Sequence, residues 1–169
     1  MSKRIIPAFA AAALLTLAPA FAQSQGNQDE KFVRDAAAGG MMEVELGHMA
    51  AERAASAEVK AFGQRMVTDH GRANQQLMQL ATSKGMTLAR DLPAHMQAER
   101  DHLARLSGAE FDRMYMQHML QDHKKDVAEF EKEAEKGTDS ALRTFAQQTL
   151  PTLREHLTLA ESLAGQNTR

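Results

Sequence analysis

The chain has 169 residues, a formal charge of −2, no Cys, no Trp and one Tyr. Without Cys there can be no thiolate metal site, Cys nucleophile or disulfide, and the near-neutral balance with no basic stripe argues against nucleic acid. Ala, Leu, Met, Gln, Glu, Lys and Arg dominate; these are the strong helix formers, so the composition points to an all-α protein.

The N-terminus carries a short positive segment (Lys3, Arg4), an apolar run from Ile5 to Leu17 and a small-x-small stretch, Ala20-Phe21-Ala22. Together these are the parts of a secretory signal peptide, predicted to span 1–22 and to be cleaved before Gln23. The apolar run falls short of the about 20 residues a membrane span needs. No membrane insertion is therefore expected after cleavage, and the predicted compartment is the periplasm. Removing 22 of 169 residues leaves 147, the size of one domain. Losing Lys3 and Arg4 leaves 18 basic against 22 acidic residues, a charge of −4.

Residues 23–28 are polar and predicted to be a flexible lead-in. A helical domain is then predicted over 29–165, with a short tail at 166–169. The first helix is expected from about Asp29 to Ala55, with Phe32/Val33, Ala36/Ala37, Gly40/Met41, Val44, His48 and Ala51 inward at three-and-four spacing. Ser56 can cap a second helix that stops at Gly85 after Lys84. Its stripe is Val59, Phe62, Met66, Asp69/His70, Ala73, Leu77 and Leu80/Ala81. Residues 86–108 read as a crossover holding a short helix from near Pro93. Ser107 and Glu110 match a capping box for a third helix, to Lys136, with Phe111, Tyr115, Met119, Asp122/His123, Val127 and Phe130 inward. Gly137 stops it. The fourth helix, about Ser140 to Leu163, carries Leu142, Phe145, Leu153 and His156 on its stripe, with a kink expected at Pro151. Two short-looped hairpins joined by one long crossover make a ferritin-like four-helix bundle.

Several blocks occur together: Phe32-Val-x-x-Ala-Ala-x-Gly-Gly-Met-x-Glu-Val-x-Leu-Gly47, Val59-Lys-x-Phe62 with Met66-Val-x-Asp-His70, Phe111-Asp-x-x-Tyr115 with Met119-x-x-Asp-His123, and Leu150-Pro-x-Leu-x-x-His156-Leu157. This combination resembles a bacterial family of exported proteins, domain of unknown function 4142, over nearly all of the mature chain. The resemblance implies a ferritin-like bundle and names no activity.

His48, His70, His123 and His156 each fall on the predicted inner stripe of a different long helix. Asp69 precedes His70, Asp122 precedes His123, and Glu45 lies three before His48. His and carboxylate groups converging inside a bundle are how such folds hold metals. The candidate ligands are therefore Glu45, His48, Asp69, His70, Asp122, His123 and His156, with Met66 and Met119 as soft neighbours. Imidazole suits Cu, Zn and Fe, and thioethers select Cu(I), so copper is favoured. A di-iron carboxylate centre is not expected, because only the first helix has Glu-x-x-His. Heights counted from the hairpin turns place the four His at different levels, so two small sites or a polar ladder are expected rather than one tight site. No hydrolase, phosphate-loop or zinc-protease motif is present, which favours a non-enzymatic binding or envelope-stress protein. The alternative is a protein–protein interaction module without metal, in which an envelope protein is the partner and the core His and Asp groups are structural.

Overall fold

The computed structural model describes residues 20–166, with side chains described from Gln28 onward. The signal-peptide reading falls mostly on residues 1–19, outside the described residues. Five helices follow one another: α1 (Ala20–Arg53), α2 (Ala57–Ser83), α3 (Ala94–Leu103), α4 (Gly108–Lys136) and α5 (Ser140–Gln166). No strand occurs among the described residues. Nor is any described helix long and apolar enough to cross a membrane. The lead-in 23–28 is helical and continuous with α1, which begins at Ala20 rather than near Asp29. No Pro interrupts it, so the backbone ladder simply runs on.

The chain folds as two helical hairpins, α1–α2 and α4–α5, that pack together along α1–α4 and α2–α5. Ala54 at the end of α1 bridges Gly108 at the start of α4, and Phe32 early in α1 packs edge-on against Phe130 late in α4. These contacts make α1 and α4 antiparallel, and hence α2 and α4 parallel. A connection between parallel helices must run the length of the bundle. Residues 84–107, with α3 inside them, do so in the ferritin-like order.

The hairpin turns are held by carboxylates from the opposite hairpin. Asp112 on α4 accepts from the backbone N–H groups of Ala55 (2.9 Å) and Ser56 (2.7 Å) at the α1–α2 turn. Asp29 on α1 accepts from Thr138 (3.0 Å) and Asp139 (2.8 Å) at the α4–α5 turn. The turn N–H groups just ahead of α2 and α5 are thus satisfied across the domain, while Ser56 and Asp139 cap donors inside the first turns. Ser56 caps α2 as expected, its Oγ accepting from Glu58 and Val59. Ser107 departs from expectation. It occupies the N-cap position of α4 but makes no side-chain cap bond. Gly108 enters the helix at φ +62°, a left-handed conformation that glycine adopts without strain and that alters the approach to the first turn.

On α1 the buried face differs from the predicted stripe beyond Gly40. Met42, Glu43, Leu46, Gly47 and Ala50 are buried, while His48 is exposed. The cause is the close approach of α2. A Cβ on Gly47 would lie 2.6 Å from the Gly63 carbonyl, and one on Gly63 would lie 2.7 Å from the Gly47 carbonyl. These two glycines must face each other, and their contact sets the rotation of α1. α5 continues unbroken through Pro151, which sits on its exposed face.

Candidate metal centre

Each long helix contributes one polar residue at the same level. Glu43 (α1) is 1% exposed, His70 (α2) 6%, and His123 (α4) and His156 (α5) are 0%. This layer divides the core in two. On one side lie Met42, Leu46, Phe62, Met66, Tyr115 and Met119. On the other lie Phe32, Leu77, Phe130, Phe145, Leu150 and Leu153. The three imidazole centroids are 5.2–5.5 Å apart. One nitrogen from each ring lies within 4.8 Å of the other two. Phe62 packs edge-on against both His123 and His156 and closes the layer from the first side.

Each ring has one nitrogen engaged and one without a partner. His70 Nδ1 meets Glu43 Oε2 at 2.7 Å, and its Nε2 is unpartnered. His123 Nδ1 donates to the Met119 carbonyl at 2.9 Å, leaving Nε2 unpartnered. His156 Nε2 donates to Asp69 Oδ2 at 2.9 Å, leaving Nδ1 unpartnered. The Met119 carbonyl and the Asp69 carboxylate are acceptors, so His123 carries its proton on Nδ1 and His156 on Nε2, leaving a lone pair on the unpartnered nitrogen of each. Carboxylates and carbonyls behind imidazoles orient metal-ligating His in this way.

Electrostatics keep the imidazoles neutral. Burial is the main cause in all three: it lowers the pKa of His70, takes His123 down to about 3 and His156 to about 4. In the last two, neighbouring His rings lower it further. A neutral imidazole is the ligating form. Burial also pushes Glu43 well above the carboxylate range, with Asp122 adding to it. Asp126 rises for the same reason, with Glu43 beside it. Burial alone would raise Asp69 too, but the N–H donors of His156 and Arg65 outweigh it and hold its carboxylate below the usual value. Arg65 in turn pairs with Glu155 at the surface.

Of the residues singled out in the sequence, His70, His123 and His156 come together, and Asp69 stands behind His156. Asp122 joins a neighbouring carboxylate group with Glu43 and Asp126. Met66 and Met119 are fully buried one turn before His70 and His123. Glu45 and His48 are not part of the layer. Both are exposed, and Glu45 pairs with Arg100 at 3.1 Å. His48 stays apart, so the four His do not form one site, but His70, His123 and His156 share one level, which the axial count did not anticipate. Axial counting compared Cα levels along straight helices, whereas tilted helices and imidazoles several ångströms long bring the rings to one level. Glu43 and Asp126 were missed. Glu43 was legible only by treating Gly40, Gly47 and Ala50 as the inner face.

A family model described as a domain of unknown function, DUF4142, matches residues 15–163. None of the curated proteins is a significant match. Among solved structures, a DUF305 protein from Streptomyces coelicolor, a proposed secreted protein, superposes with TM-score 0.70 at 17% identity, covering 83% of this chain and 94% of its own. A DUF305 fragment from Deinococcus radiodurans gives 0.71 at 18% identity, covering 82% and 96%. A conserved hypothetical protein from Mycobacterium tuberculosis gives 0.62 at 15%, covering 83% and 93%. At these identities the likeness concerns the helical fold alone. The family match spans most of the sequence and takes in all four residues of the buried layer: this chain belongs to the DUF4142 family.

Proposed function

We propose that this is an exported, non-enzymatic bundle that binds a transition-metal ion through His70, His123 and His156, with copper the favoured ion. One observation carries the reading: three buried imidazoles each bring a nitrogen within 4.8 Å of the other two, and each ring has a nitrogen without a hydrogen-bond partner. A buried polar nitrogen without a partner costs about 1–3 kcal/mol. Three in one layer make a costly core unless a cation satisfies them together. Imidazole donors suit Cu, Zn, Fe and Ni, and Cu(II) binds most tightly in the divalent series. The buried Met66 and Met119, one turn away, add soft donors to the surroundings.

The test is thermal unfolding of metal-stripped protein with and without Cu(II) or Zn(II). An ion that binds only the folded state stabilises it by about 2.7 kcal/mol at 100 times Kd. Wild type should therefore melt several degrees higher with metal. His70→Ala, His123→Ala and His156→Ala should each lose most of that rise, and His48→Ala should keep it. A rise that survives in all three variants, or is absent from wild type, rejects the imidazole site.

A further inference from the structure

Away from the imidazole layer, the crossover leaves a concave space over the α1–α2 hairpin. Gly85 turns the chain at φ +69°, and the Met86 N–H donates to the Ala81 carbonyl at 2.9 Å. Residues 86–90, which are not helical, then run back alongside α2. This segment and the two helices enclose a cavity of about 440 Å³. Small-molecule sites commonly measure about 300–1,000 Å³. The walls are apolar: Met41 from α1, Met78 and Ala81 from α2, and Met86 and Leu88 from the crossover. Met86 and Leu88 also pack against the core, so the space is backed by ordered structure.

Two features set this space apart from an ordinary surface hollow. Met78 is 57% exposed, and among the described residues only it and Leu159 are large hydrophobics left open to solvent. An exposed thioether at the lip of an apolar cavity is area that a ligand would cover. The second feature is Arg90, the one charged residue on the lining. It is exposed and has no ion-pair partner among the described residues. The crossover segment starts beside Ala81 and extends about 13 Å, at about 3.3 Å per residue. Over the same stretch α2 covers about 12 Å from Thr82 back to Asn74. Arg90 therefore lies toward the Asn74 end, with apolar wall along the rest. A positive charge at one end of an apolar space complements an amphipathic anion. A docked helix of three turns needs about 16 Å, more than this length offers.

We propose that the cavity binds a single-chain amphiphilic carboxylate, its head on Arg90 and Asn74 and its tail against Met41, Met78 and Met86. A guanidinium pairs with a carboxylate through two parallel N–H donors. The Asn74 amide can supply another donor. Unbranched thioether side chains adapt to a flexible tail. This site is separate from the imidazole layer and does not depend on metal there.

The probe is decanoate, titrated calorimetrically into the full chain below the concentration at which it aggregates. Decyltrimethylammonium and butyrate are the controls; one reverses the head charge and the other lacks the tail. Decanoate should bind, and both controls should bind at least about tenfold more weakly. Arg90→Gln and Met78→Glu each replace an exposed side chain, so both variants should keep the wild-type circular dichroism. Each should weaken decanoate binding at least about tenfold, and Arg90→Gln should also abolish the preference over decyltrimethylammonium. Equal binding of the two long-chain amphiphiles to wild type would mean adsorption to an apolar patch and overturns the proposal. So does decanoate binding that survives Arg90→Gln or Met78→Glu. No binding of decanoate, or binding only when the acid is presented in vesicles, overturns it as well.

Discussion

Glu133 shows what a single buried carboxylate does to this protein away from the imidazole layer. It is 1% exposed and neither oxygen has a partner. Gly137 makes room for it: a Cβ there would lie 2.3 Å from Glu133 Oε1. Burial, and then Asp29 and Asp139, raise its pKa to about 7, while Arg143 and Lys132 pull the other way. Because the folded pKa exceeds the unfolded one, Glu133 is least costly below about pH 4.5 and destabilises the fold increasingly as pH rises through 7. Glu133→Gln removes the charge, so its stability relative to wild type should grow between pH 5 and pH 8, by on the order of 1 kcal/mol. Denaturant unfolding at the two pH values measures this. A difference independent of pH would show that Glu133 ionises freely. Nothing in the sequence around Glu133 marks it as buried, since it sits in Glu131-Lys-Glu-Ala-Glu-Lys136, a run that reads as solvated.

At the scale of elements, glycines set how closely α1 and α2 approach. A Cβ on Gly63 would meet the Ala50 Cβ and the Gly47 carbonyl, each at 2.7 Å. The obstacle is partly backbone, so the helices would have to move apart. Gly71, on the same helix, has nothing within 4 Å of its would-be Cβ. Gly63→Ala should therefore destabilise by about 1–3 kcal/mol, the range for overpacking. Gly71→Ala should stabilise by up to about 1 kcal/mol, the gain in helix propensity. Thermal melts of the two variants should move in opposite directions, and a shared direction would reject the close-approach account. Helix limits were largely legible, because Ser56, Gly85, Gly137 and Ser140 are local signals. The rotation of α1 was not. Its Ala- and Gly-rich sequence has a weak apolar stripe, so packing against α2 decides which face turns inward and carries Glu43 rather than Glu45 into the core.

For the whole molecule, the buried polar layer is the main interruption of the apolar core. It divides the apolar core into two clusters and strands polar atoms that a cation would satisfy. Export is a whole-molecule matter as well. If residues 1–22 are a cleaved leader, intact mass of the protein recovered from the periplasmic fraction should correspond to a chain starting at Gln23. Recovery only from the cytoplasm, or with Met1 to Ala22 retained, would contradict the proposal. By itself the sequence determined that the protein is all-helical, where its hairpins turn and that one long crossover joins them, because propensity, capping and loop length act over a few residues. It also marked His70, His123 and His156 through their place on apolar stripes. Only the tertiary structure decided that these three meet, that Glu43 and Asp126 join them, and that Glu45 and His48 face outward. Those facts depend on the rotation and tilt of four helices against one another, which packing between segments far apart in the chain controls.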